Sequence, residues 1–114
     1  ERLAVGFNDE VAIVDRDNRI RLMTKGQASQ EIPREGPNYE IDDPVAIVFD
    51  VFGHLYVVDE ERVFIFGQDR RLLRQFPNTD GVSEAPRKIT AFALDAYGGF
   101  VIADDDDERI VRYH

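Results

Sequence analysis

The sequence predicts an all-β fold assembled from a repeated four-stranded unit, on three observations. One phrase occurs three times, as Val-Ala-Ile-Val-Asp at 11–15, Leu-Tyr-Val-Val-Asp at 55–59 and Phe-Val-Ile-Ala-Asp at 100–104. Asp15 to Asp59 is 44 positions and Asp59 to Asp104 is 45, and a self-similar period of this length marks a repeat architecture. Val, Ile, Phe and Tyr dominate the short runs while Gly, Asp, Asn and Pro separate them, which is the pattern of strands joined by tight turns. The runs Ile47-Val48-Phe49, Tyr56-Val57-Val58 and Val63-Phe64-Ile65-Phe66 are apolar without alternation. A sheet with one wet face alternates, so these strands are buried on both sides.

In order, the units occupy about 1–43, 44–88 and 89–114, and in the second the strands fall at about 45–49, 54–59, 62–66 and 72–76. Asp50 and Gly53 open the first hairpin and return as Asp95 and Gly98. After each repeated Asp comes an Arg followed by an apolar run, at Arg19, Arg62 and Arg109. The fourth strand, Leu72-Leu73-Arg74-Gln75-Phe76, is mixed, and the last unit ends within its third strand. A helical period persists nowhere, and Pro33, Pro37, Pro44, Pro77 and Pro86 interrupt the connecting stretches. A small sheet stacked between two neighbours, with its fourth strand near the rim, gives this gradient, and that is a β-propeller blade. About two and three-quarter blades are present.

The blade phrase resembles the NHL-repeat type of β-propeller, related to the six-bladed gluconolactonase-like and YWTD propellers. The resemblance is carried by Val48-Phe49-Asp50-Val51-Phe52-Gly53-His54-Leu55-Tyr56-Val57-Val58-Asp59 with Arg62-Val63-Phe64-Ile65-Phe66, and by Ala93-Leu94-Asp95 through Asp104 with Arg109. The first unit departs from it, with Asn8-Asp9 at the turn. The physical roles follow from residue type. Gly53 and Gly98 suit turns with positive φ, and Asp50 and Asp95 suit bonding to turn amides. Asp15, Asp59 and Asp104 end the second strand where Arg19, Arg62 and Arg109 lead into the third, so a charged hydrogen bond across that hairpin is expected.

Closed propellers have roughly four to eight blades, so the chain reads as part of a ring: a fragment of a longer polypeptide, or one half of a six-bladed ring closed by a second copy. With 43% apolar residues and no Cys, it relies on packed layers, without disulfides or thiolate metal sites. No apolar run is long enough to span a membrane, and the compartment stays open, being extracytoplasmic if a leader precedes Glu1. A net charge of −9, from 14 basic and 23 acidic residues, argues against nucleic acid as a partner.

The run Asp104-Asp105-Asp106-Asp107-Glu108 offers hard oxygen ligands, with Asp105, Asp106 and Asp107 as the calcium candidates. Adjacent turn residues diverge and the spacing matches no calcium loop, so a solvated acidic hairpin is the preferred reading and no cofactor is expected. His54 stands alone at a hairpin exit, and Ser29 and Ser83 lack a nucleophile-elbow context. The connectors at 34–43 and 78–88 link the outer strand of one unit to the inner strand of the next, which places Tyr39 and the Arg87-Lys88 pair on one face for contacts. The expected function is a noncatalytic scaffold that binds a protein, peptide or other ligand, or acts as a sensor, through these connectors. The alternative is part of a metal-dependent, lactonase-like enzyme whose site is completed by further blades.

Overall fold

The computed structural model describes residues 2–6, 9–76, 88–95, 99–105 and 108–113, and those residues form strands and turns with no helix among them. The first sheet is a meander of β1 (Arg2–Val5), β2 (Glu10–Val14), β3 (Ile20–Thr24) and β4 (Gln30–Ile32). A two-stranded hairpin follows, β5 (Glu35–Gly36) with β6 (Tyr39–Glu40). The second sheet holds β7 (Ala46–Phe49), β8 (Leu55–Val58), β9 (Val63–Phe66) and β10 (Leu72–Phe76). The third holds β11 (Ile89–Leu94), β12 (Phe100–Asp104) and β13 (Arg109–Tyr113). Every pairing is antiparallel between sequence neighbours. The strands expected in the second unit thus lie within one residue of those observed. The β5–β6 hairpin was not expected, since two-residue strands carry too few alternating positions to be read.

The unalternating runs have the cause the sequence implied. All of β8 and β9 is buried, and successive side chains of a strand point to opposite faces. Leu55, Val57, Phe64 and Phe66 join Ala12, Val14, Ile20, Leu22, Ile32 and Ile41 in one core, against the first sheet. Tyr56, Val58, Val63 and Ile65 join Ile89, Phe100 and Ile102 in a second core, against the third. The innermost strands β1 and β7 pack side by side, so the sheets fan out from that edge. β10 is mostly half-buried or exposed, with Leu73 55% exposed, as an outer strand must be.

Turn chemistry holds the meanders. Asp50 Oδ1 accepts from the N–H groups of Phe52 (2.8 Å) and His54 (2.9 Å), and Gly53 takes φ 82°. A side chain at that φ is strained, which accounts for the glycine. Asp95 Oδ1 accepts from Gly99 N–H at 3.1 Å in the equivalent hairpin; Gly98 lies outside the described residues. In the first sheet Gly6 occupies the Asp50 position, and its N–H bonds the Glu10 carbonyl at 2.8 Å.

Candidate functional site

The connector from the first sheet to the second is a built structure rather than a slack loop. Gly36 and Tyr39 pair across the β5–β6 turn, and the Ile41 N–H donates to the Arg34 carbonyl at 2.6 Å. Ile41 is buried beneath it in the first core. A Cβ on Gly36 would stand 2.3 Å from the Tyr39 ring, closer than two carbons approach, so only glycine admits that ring. The ring lies 6.1 Å from Phe64 and 5.7 Å from Phe66, edge-on to the latter, and its hydroxyl donates to the Pro33 carbonyl at 2.8 Å. Burial raises the phenol's pKa above its usual value. Tyr39, expected to face a partner, is half-buried, with its ring against the aromatic floor of β9.

The repeated aspartates bind backbone amides at the end of the second strand of each sheet. Asp59 is 6% exposed, and its Oδ1 accepts from the N–H groups of Glu61 (2.9 Å) and Arg62 (2.8 Å). The backbone N–H of Arg62 thus bonds the repeated aspartate across this hairpin. Burial raises the Asp59 pKa, with the Asp42 charge adding to the rise and the Glu61 and Arg62 amides opposing it. Asp104, 1% exposed, takes the end of its incoming connector, accepting from the Lys88 N–H at 3.2 Å. Asp15 is more open. Its Oδ1 accepts from Arg19 N–H (3.0 Å) and Asp17 N–H (2.9 Å), and Arg21 Nε lies 3.4 Å from Oδ2. The Arg19 amide leads in holding the Asp15 pKa below its usual value, with the Arg21 charge helping and partial burial opposing.

Between the connector and the β8–β9 hairpin lies a polar pocket of about 340 Å³. Asn38, Tyr39, Glu40 and Asp42 wall it from the connector, Asp59, Glu61 and Arg62 from the hairpin, and Gln75 from β10. Gln75 Nε2 donates to the Asn38 carbonyl at 2.8 Å and Arg34 Nη1 to the Asp42 carbonyl at 3.3 Å, so both ends of the wall are pinned. Of the residues singled out from sequence for contacts, Tyr39 lines this pocket. Lys88 is exposed at the start of β11 and does not line it. Arg87, Asp106 and Asp107 lie outside the described residues, while Asp105 is exposed and its N–H donates to the Lys88 carbonyl at 3.0 Å. Among the described residues no cluster of three His, Cys, Asp or Glu is arranged to hold a metal ion. Sequence reasoning missed Glu40, Asp42, Glu61 and Gln75, which sit on three separate elements. For the three acidic residues the only signal was acidity within the connector and the hairpin, and Gln75 carried none.

No family model matches the chain, and no curated protein matches it. Among solved structures it is similar to selenomethionine-substituted virginiamycin B lyase from Staphylococcus aureus, a β-propeller, with a TM-score of 0.62 at 14% identity. The likeness covers 97% of this chain and 39% of that one. The sheets are propeller blades. At this identity the likeness shows the fold alone, and the chain spans well under half the length of the structure it matches.

Proposed function

We propose that this chain is a noncatalytic, partner-binding part of a β-propeller of the NHL type, and that its connector pocket receives a cationic side chain from a protein or peptide. The NHL assignment rests on the Asp50–Gly53 turn and on the Asp59 hairpin with its following Arg62, the two repeated devices whose hydrogen bonds are in place. The binding reading rests on one observation, a pinned pocket lined by four acidic residues and one arginine. A concave site with few convergent polar groups on a rigid scaffold is where recognition is found, and this balance of charge favours an ammonium or guanidinium over an anion. Its connector wall is held by Tyr39, Ile41 and Gln75, so little ordering entropy opposes binding.

The test is a calorimetric titration with two unstructured peptides of equal length, one rich in Lys and one rich in Glu. The basic peptide is expected to bind, to weaken as salt rises, and to weaken by about tenfold, or ~1.4 kcal/mol, when Glu40→Gln and Glu61→Gln are combined. Equal heats from both peptides, or basic-peptide binding untouched by the double substitution, would count against the pocket.

A further inference from the structure

The groups that wall the connector pocket divide by hydrogen-bonding sense. Apart from the Arg62 and Asn38 side chains, most of its donors are spent. The Glu61 and Arg62 N–H groups are taken by Asp59 Oδ1, Gln75 Nε2 by the Asn38 carbonyl, and the Tyr39 hydroxyl by the Pro33 carbonyl. Its acceptors are not spent. Glu40, Asp42 and Glu61 are exposed, and among the described residues none of their carboxylates accepts a hydrogen bond or enters a salt bridge. A carbonyl cannot donate, so Gln75 must turn its nitrogen to Asn38, which leaves Oε1 as an acceptor with no partner among the described residues. These acceptors stand on the connector, the β8–β9 hairpin and β10, three separate walls of one cavity.

A ligand suited to such a cavity brings donors and no acceptor of its own. At about 340 Å³ the space admits an ammonium or a guanidinium alike, so size does not choose between them. Donor number does. An ammonium has three N–H donors radiating from one point, whereas a guanidinium spreads five across a plane, in a fork that matches a carboxylate edge and leaves donors over for a second wall. The guanidinium is also the more weakly hydrated of the two, so it gives up less on leaving water. An aromatic cage, which would hold a methylated ammonium, is not what lines this pocket: its ring, that of Tyr39, is packed against Phe64 and Phe66 with Gly36 close beside it.

Resting on the reading that the ligand is cationic, we propose that the connector pocket selects arginine over lysine, with Gln75 Oε1 as the acceptor that sets the preference. The probe is a set of three blocked peptides of equal length and otherwise uncharged sequence, carrying a single central arginine, lysine or Nω,Nω-dimethylarginine. Each is titrated into the chain and followed through the backbone amide resonances of Glu61 and Gln75. Dimethylation keeps the charge and blocks paired hydrogen bonding. The arginine peptide is expected to bind about tenfold more tightly than the lysine peptide, roughly the net worth of one hydrogen bond, and dimethylation to erase that advantage. Gln75→Met is expected to remove the preference, while Gln75→Glu, which keeps an acceptor but not the donor to Asn38, is expected to retain it. Arginine and lysine peptides that bind equally to the unsubstituted chain would overturn the inference and leave the cationic reading in place. So would a preference that survives dimethylation or Gln75→Met, or one that is lost in Gln75→Glu. Binding by none of the three peptides would sink both readings.

Discussion

The two junctions between blades fill the same space by different means. The first is aliphatic on one side, receives two rings from the other, and is roofed by the connector through Tyr39 and Ile41. The second is a cluster of five rings, in which Phe100 lies 5.0 Å from Tyr113, 5.3 Å from Phe76, 5.4 Å from Phe92 and 6.3 Å from Tyr56. A polar clamp also belongs to the first junction. Arg70, in the β9–β10 turn, donates to Glu10 of the first blade and to the Gly53 carbonyl at 2.9 Å, and its guanidinium lies 5.4 Å from the centre of the Phe49 ring. Blade stacking is thus a shape requirement that different residue sets can meet. What distinguishes the junctions is how much depends on contacts between rings.

Substitutions of core rings test this with the largest effect. Phe64→Ala and Phe100→Ala remove fully packed rings, and each is expected to cost about 3–5 kcal/mol in urea denaturation. Leucine separates the two sites. Phe64→Leu keeps most of the apolar volume and gives up one ring contact, for a loss of about 1 kcal/mol. Phe100→Leu gives up four, and should lose about 3 kcal/mol at ~0.5–1.5 per pair. Equal losses for the two leucine variants would show that ring geometry contributes nothing beyond buried area.

The connector roof is tested next by Gly36→Ala, whose Cβ would displace the Tyr39 ring from Phe64 and Phe66. A loss of about 1–3 kcal/mol is expected. In a Tyr39→Ala background the same substitution should fall within about 0.5 kcal/mol, because the obstacle is gone. Persistence of the full cost there would place the strain in the backbone instead.

Arg70→Gly sharpens the comparison at a smaller scale. Arg70 holds φ 64°, where most side chains are strained, and the equivalent turn of the first blade has Gly26 at φ 81°. Glycine would relieve roughly 1 kcal/mol of that strain while losing a half-buried ion pair and a carbonyl bond together worth about 1–2 kcal/mol. The net change should stay within about 1 kcal/mol. A double-mutant cycle with Glu10→Gln should recover the pair's coupling free of the strain.

The blades themselves were readable from the chain because a repeat prints its hairpins two or three times over. The period placed Asp59 and Asp104 at their strand ends, and the unalternating run from Val63 to Phe66 gave away a sheet covered on both faces. The site was much less readable. Arg70 and Glu10 are 60 positions apart, and Glu40, Glu61 and Gln75 meet only because the connector folds back across β9 and β10. Tyr39 stands in a polar, glycine-containing segment, and the rings it packs against belong to a strand more than twenty residues further on. One letter also conceals two environments, since Asp15 and Asp59 occupy the same repeat position with opposite shifts in acidity.

That last contrast has a measurable sign. Asp59 is harder to ionise in the folded chain than its ordinary value of 3.8, so between 3.8 and its raised value the folded state binds more protons than the unfolded. Stability contributed by this site therefore falls as pH rises through that window. Asp15 is easier to ionise than 3.8, so its contribution is present above that value and is lost as pH falls through its lowered one. Asn keeps an acceptor at either position and removes the titration. Relative to the unsubstituted chain, Asp59→Asn should compare best at neutral pH and lose that advantage toward pH 3.8. Asp15→Asn should compare worst at neutral pH and close the gap in stronger acid. Parallel pH profiles for the two variants would mean that burial beneath the connector does not set the Asp59 carboxylate apart from its counterpart in the first blade.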